Sequence, residues 1–401
     1  MVKIAISEKE YKRRIERVRQ ELVRRELDAL YLTSGTSFLY LTGYSYIVTE
    51  RPAALIVPVE GELTFLGPHL ERDHIPLATT LVKSIKTYLD YPGEDHSLGH
   101  FASFLEEMGL GKKRIGIDNP AGAAGRWGYR GPKIEDKLPG AEFVEAKEIV
   151  EDLRLIKSEE EIQLIRESAK WANLAQSLLQ EYTEPGLWDV DISLMASYEA
   201  SMIMKKTLGR EYRPCKRGLS PAGAGFRGQV GAMSAIPHAI STRRMIREGD
   251  IIITGAGADI GGYSSELERT MIVGEPSDQQ RRLFEVMLQA QDTALAAFRP
   301  GAKCSDIDRA ARKVILEAGY GDLIRHHTGH GLGLDGHEPP WLDVGDDTVL
   351  KPGMVLSCEP GIYKPGYAGF RHSDTVLITE AGAEILTYYP RDLQSLTIKK
   401  R

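Results

Sequence analysis

Four histidines and four glycines crowd into the stretch from His326 to His337 (HHTGHGLGLDGH). Glycine at this density makes poor helix and lets backbone approach a ligand closely. Imidazoles bind metals or move protons near neutral pH. His330 and His337 are therefore candidate site residues, whereas His326 and His327, adjacent and facing opposite ways in a strand, are read as structural. Acidic partners lie in the run from Asp250 to Thr270, where Ser264, Glu266 and Glu268 recur at a spacing of two. In a strand that spacing puts all three on one face. Like charges on one face repel and resist burial, so they form either a solvated surface or part of a site. Glu359 ends the apolar run from Met354 just before Pro360-Gly361, and a carboxylate on a buried strand needs a partner. Asp374 is open between pairing with Arg371 and a place in the site. His238, alone in the loop from Pro237 to Thr242, reads on its own as structural.

The elements that must carry these residues follow from periodicity. Ile251 to Ile253 is a β-branched run, Gly261-Gly262 a turn signal, and Tyr263 to Thr270 the returning strand of a hairpin. The Gly255-Ala-Gly257 pattern opens no helix and is not a dinucleotide fingerprint. Upstream, Tyr11, Ile15, Val18 and Leu22 mark an amphipathic helix over Glu8 to Arg25. Strands are expected near 29–32, 53–57, 62–66 and 114–118, with a helix over 99–108. This alternation predicts an α/β domain over residues 1–157. Ser158 with Glu161 forms a capping box that starts a helix running to about Tyr182, so a second domain is expected over 158–401.

That second domain contains a repeat. The helix stopped by Pro185-Gly186 is followed, six residues past the proline, by Asp191-Ile192. A helix over 279–298 is stopped by Pro300-Gly301 and followed at the same distance by Asp306-Ile307. Two similar halves predict pseudo-two-fold symmetry with a site between them.

Composition narrows the function classes. The chain has 401 residues, 42% hydrophobic and 27% charged, and a formal net charge of -6, which gives no electrostatic case for nucleic acid or an anionic membrane. Three scattered cysteines, Cys215, Cys304 and Cys358, fit neither a disulfide framework nor a cysteine zinc site. No stretch reaches the ~18 apolar residues of a membrane span, and the charged N-terminus is unlike a signal peptide, so a cytoplasmic protein is expected.

Taken together, Gly249-Asp250, Gly262-Tyr263, Arg269-Thr270, Gly329 to Gly333, His337-Glu338-Pro339, Glu359 to Tyr363 and Gly369 to Asp374 resemble the family of methionine aminopeptidase, prolidase, aminopeptidase P and creatinase. The resemblance spans about residues 158–390. It implies a pita-bread α/β domain with internal pseudosymmetry, preceded by a smaller creatinase-like α/β domain. The family's peptidases hold two divalent ions with two aspartates, a histidine and two glutamates. Here Gly255 stands for the first aspartate, Glu266 for the second, His330 and Glu359 match, and Ser373 replaces the second, bridging glutamate.

With that set incomplete, the Leu267-Glu268-Arg269-Thr270 quartet is similar to creatinase, the metal-free member. The resemblance then implies a hydrolase that cleaves a C–N bond of a small amide, amidine or guanidino compound without a cofactor. His238 would be its proton shuttle, and Glu268 and Glu359 would act with it. Glu266, His330 and His337 would bind substrate, and Arg51 would reach across a homodimer to a substrate carboxylate. The alternative is an Xaa-Pro dipeptidase using at most one Mn, Zn or Co ion on Glu266, His330 and Glu359. A third reading is an inactive binding module on the same fold. Side pockets are assigned to loops, notably Arg213 to Gly231.

Overall fold

The computed structural model describes residues 4–125, 128–212, 214–215 and 220–399. Residues 213 and 216–219 of the loop expected to shape the side pockets lie outside them. The chain divides into two compact units, Ile6–Arg154 and Leu155–Arg401 with Met1–Ala5.

The first unit is built on a six-stranded sheet in the order Val82–Tyr88, Leu63–Pro68, Ala54–Pro58, Ala29–Leu32, Arg114–Ile117, Glu142–Glu145. The Ala54–Pro58 strand runs antiparallel to both its neighbours and the other pairings are parallel. Its first helix, Glu8–Arg24, begins where the Ser7 hydroxyl accepts from Glu10 N, and it buries Ile15, Val18 and Leu22 at helical spacing.

In the second unit the Ser158 capping box opens Glu159–Tyr182, and a second box, Ser277 with Gln280, opens Asp278–Ala297. Each helix is followed by another, Asp189–Leu208 and Cys304–Glu317. The two Asp-Ile pairs occupy the third and fourth positions of those following helices, so the repeat is a repeated helix pair. A five-stranded sheet runs Glu338–Leu342, Gly329–Gly331, Val355–Cys358, Asp374–Thr379, Gly382–Ile385. A three-stranded sheet, Thr397–Ile398, Thr270–Val273, Ile251–Ile253, lies in the same unit.

The expected hairpin from Asp250 is different in the structure. Ile251–Ile253 pairs with Thr270–Val273, so the returning strand begins where it was expected to end. Between them Gly255–Ala258 pairs with Ala222–Gly225 instead. The segment holding Glu266 and Glu268 is laid against another strand. Glu268 and Ser373 exchange both backbone hydrogen bonds at 3.0 Å, and Thr375 Oγ1 donates to Glu266 O and accepts from Glu266 N. Periodicity could not show this, because the partner strand lies a hundred residues away.

Candidate active site

The second unit collects the acidic and imidazole groups in one place. Ligand atoms of Glu266, His330 and His337 lie within 4.8 Å of one another, and so do those of Glu266, Glu268 and Glu359. Two close approaches of backbone make this possible. A Cβ on Gly329 would stand 2.2 Å from Ser357 O, and one on Gly331 would stand 2.2 Å from Pro339 O. Only glycine permits the strand carrying His330 to pack so tightly between its neighbours.

His330 is fully buried. Its Nδ1 lies 3.0 Å from Gly331 O, which requires the proton there and leaves Nε2 as the lone-pair nitrogen of a neutral ring. Nε2 sits 3.0 Å from Glu359 Oε1 and 3.8 Å from Glu266 Oε2, yet it makes no hydrogen bond among the described residues. A lone pair facing two carboxylates is repulsive unless a proton or a cation intervenes. One histidine with flanking carboxylates, its other nitrogen on a backbone carbonyl, is a donor set that suits a divalent ion.

The electrostatics agree. Burial alone would lower the basicity of His330, but Glu359 and Glu266 outweigh it and raise its pKa. Burial would push Glu359 up, but His330 and Arg371 hold it well below the usual carboxylate range. Glu266 goes the other way, raised by burial and by the charges of Glu359 and Glu268. Its carboxylate accepts from Ser373 Oγ at 2.6 Å. The His337 ring stacks on His330 with centroids 3.7 Å apart, and burial, followed by His330, lowers its pKa.

Glu268 is held differently. Arg371 Nε donates to its Oε2 and Arg227 Nη2 to its Oε1, so two guanidiniums share this carboxylate. Arg371 Nη1 also donates to Tyr363 OH at 3.0 Å, and that hydroxyl lies 2.8 Å from His326 Nε2. His326, read from sequence as structural, thus ends a hydrogen-bonded chain leading to the site. Arg227, Arg371 and Tyr363 were not candidates either. Arginine and tyrosine are common on any surface, and only burial of Arg371 and Tyr363 gives them away. Asp374 does not pair with Arg371; it meets Arg269 Nη2 at 2.8 Å, both side chains fully buried.

His238 is exposed and lies outside the two ligand groupings, though its charge reaches His337. Arg51 belongs to the first unit, where Nε donates to Asp90 Oδ1 at 2.8 Å and Nη1 to Glu50.

Comparison with known proteins follows the same division of the chain. Residues 163–380 match Metallopeptidase family M24, and residues 14–156 match the Creatinase/Prolidase N-terminal domain. An Xaa-Pro dipeptidase of Pyrococcus horikoshii is 30% identical over 388 residues, covering 95% of this chain and 98% of its own. One from Pyrococcus furiosus is 38% identical over 261 residues, covering 65% and 71%. The structure of a prolidase from Thermococcus sibiricus superposes with a TM-score of 0.80 at 28% identity, covering 96% of this chain and 98% of that one.

These relatives overturn the expectation of a metal-free, creatinase-like hydrolase. The assignment of His238 as its proton shuttle goes with it. The Glu268-Arg269-Thr270 resemblance misled because Glu268 is tied up by two arginines, which sequence alone does not show. The site chemistry is compatible with the metallopeptidase family, since the His330 Nε2 facing Glu359 and Glu266 can take either a proton or a cation.

Proposed function

The chain belongs to metallopeptidase family M24 and is a hydrolase of C–N bonds, and from that premise we propose an Xaa-Pro dipeptidase working with one divalent ion. Glu266, His330 and Glu359 would hold the ion. The observation that carries this reading is the buried Nε2 of His330, 3.0 Å from Glu359 Oε1 and 3.8 Å from Glu266 Oε2, with Nδ1 committed to Gly331 O. Gly255 offers no ligand atom, and the Ser373 hydroxyl is spent on Glu266, which favours one ion over two. Bound there, a divalent ion polarises the scissile carbonyl and makes water acidic enough to attack near neutral pH.

The protein's own groups account for the rest. The Glu359 side chain is 10% exposed and Glu268 3%, whereas Glu266 is 24% exposed and is the carboxylate that water reaches. Glu266 therefore takes the proton of the attacking water and returns it to the leaving nitrogen. His337, at the exposed edge of the cluster, donates an N–H to the oxyanion that forms. Arg371, Tyr363 and His326 keep Glu268 and Glu359 in place.

The test is hydrolysis of Xaa-Pro dipeptides by protein stripped with chelator and then given Mn, Zn or Co. Activity should vanish on stripping and return with about one ion per chain. Full activity in protein shown by elemental analysis to be ion-free would sink the reading.

A further inference from the structure

Lys157 and Glu338 stand 181 positions apart in the chain, yet their side chains meet inside the second unit. Nζ lies 2.7 Å from Oε1, with 2% and 7% of the two side chains exposed. Both ends are anchored. Lys157 N donates to Gly353 O at 2.9 Å, and the next residue, Ser158, caps the helix Glu159–Tyr182. Glu338 opens the strand Glu338–Leu342, and the residue before it is His337. The pair therefore ties the foot of the His337 loop to the start of a long helix.

Backbone pairing does not fix that foot by itself. His330 lies opposite Trp341, but the next residue, Gly331, lies opposite Glu338, so the ladder is irregular beside His330. A break of this kind disrupts the local hydrogen bonding and bends the strand. Between the two strands, Leu332 to His337 folds over the ion pair. A Cβ on Gly333 would stand 2.8 Å from Glu338 Oε1 and 3.2 Å from Lys157 Cε, so the loop rests directly on it. Gly333 O in turn accepts from Ser264 N at 3.0 Å, two residues before Glu266. The loop thus lies between a buried charge pair and the segment that carries Glu266. It ends with the His337 ring stacked on His330.

Compared with a well-packed apolar pair, a buried ion pair adds little stability, because desolvating both charges offsets most of their attraction. What it supplies is a single position. Any slip of the loop would leave an ammonium or a carboxylate unpaired away from water, which costs far more than the same slip between apolar side chains. We propose that Lys157 and Glu338 act as a positioning pair for His337, holding its ring over His330 where it meets the reacting carbonyl; this rests on the peptidase reading above. Both side chains are too buried to touch substrate. Their effect reaches the reaction only through the imidazole.

The experiment removes both charges at once, in Lys157→Met with Glu338→Leu, because either single change strands a buried charge and endangers the fold. Lys157→Arg, His337→Ala and the triple combination complete the set. The readouts are the denaturation midpoint, ions per chain by elemental analysis, and kcat and KM for an Xaa-Pro dipeptide. A further readout is the nuclear Overhauser contact between the His330 and His337 rings in ion-free protein carrying labelled histidine. The double variant should keep the midpoint and ion count of wild type. Its kcat should fall about tenfold to a hundredfold with KM unchanged, and the ring contact should weaken, since small displacements at a reacting centre cost this much. Lys157→Arg, which keeps the charge, should recover most of the rate. In the His337→Ala background the double replacement should cost no further rate, because both changes act through one ring. Wild-type rate and ring contact in the double variant overturn the inference, as does a fall in midpoint or ion count that accounts for the lost rate. An additive loss in His337→Ala overturns it too. If wild type cleaves no Xaa-Pro dipeptide, the peptidase reading fails, and the ring contact at an unchanged midpoint still decides whether the pair positions His337.

Discussion

His330 presents its Nε2 to Glu359 at 3.0 Å without hydrogen bonding to it, while its Nδ1 is committed to Gly331 O. A neutral imidazole in that position has its lone pair against a carboxylate, so the fold itself creates a demand for positive charge. In the ion-free protein a proton meets that demand, and on the proposed reading a divalent ion would take its place.

Proton linkage follows from this. His330 is raised to about 9 and Glu266 to about 7, so without the ion His330 is protonated at pH 7 and Glu266 about half so. Binding must displace them, so calorimetry in buffers of different ionisation enthalpy should show net proton release at pH 7, and affinity should rise with pH. Binding without proton release would contradict the ligand assignment.

Stability of the ion-free protein should depend on pH in a defined sense. Glu359 is lowered from 4.5 to about 2, so its contribution is present above pH 4.5 and lost as pH falls towards 2. His330 is raised from 6.5 to about 9, so its contribution is complete below 6.5 and lost as pH rises through 9. Glu266 is raised from 4.5 to about 7, so the native state loses stability as pH climbs through that interval. Melting temperature should therefore peak near pH 5 and decline towards pH 9, and a saturating divalent ion should flatten the alkaline side. A melting temperature that rises from pH 5 to 9 without the ion would refute this.

Two histidine variants separate the ion-dependent reading from the discarded one. His330→Ala should lose tight ion binding, measured by elemental analysis after gel filtration. His238→Ala should keep it, because His238 lies outside the ligand groupings. Retention of the ion by His330→Ala would be fatal to the assignment.

Restoring the missing ligands should change the stoichiometry. The double variant Gly255→Asp with Ser373→Glu adds two carboxylates, and the first must displace the Arg227 guanidinium 3.0 Å away. About two ions per chain are expected against one in wild type. A count of one in a folded double variant would show that Arg227 does not yield.

The pair Arg269–Asp374 should matter for stability. All five Arg269 N–H groups are used: by Pro390 O, Glu268 O, Ser373 O, Tyr389 O and Asp374 Oδ1. Asp374 also accepts from Thr387 Oγ1 and Gln291 Nε2. Asp374→Ala leaves a buried guanidinium uncompensated and should cost about 3–5 kcal/mol by chemical denaturation. A loss below about 1 kcal/mol would mean that water enters and solvates the arginine.

The sequence by itself determined the local features. Ser158 with Glu161 announced a helix start, Pro-Gly pairs announced its stops, and the glycine-histidine run announced a place of close backbone approach. These are short-range effects, set by hydrogen bonds and sterics within a few residues, so they survive reading one residue at a time. Glu266, His330 and Glu359 were legible as a set only through a family pattern, because no local rule joins residues 93 positions apart. Tertiary structure alone decided which charges neutralise one another. It gave Glu268 to Arg371 and Arg227, gave Asp374 to Arg269, and set the buried His330 Nε2 against Glu359. Coulomb energy depends on distance and burial, neither of which is written along the chain. The sequence put metal-free chemistry first and an ion on Glu266, His330 and Glu359 second, and similarity to Xaa-Pro dipeptidases reversed that order.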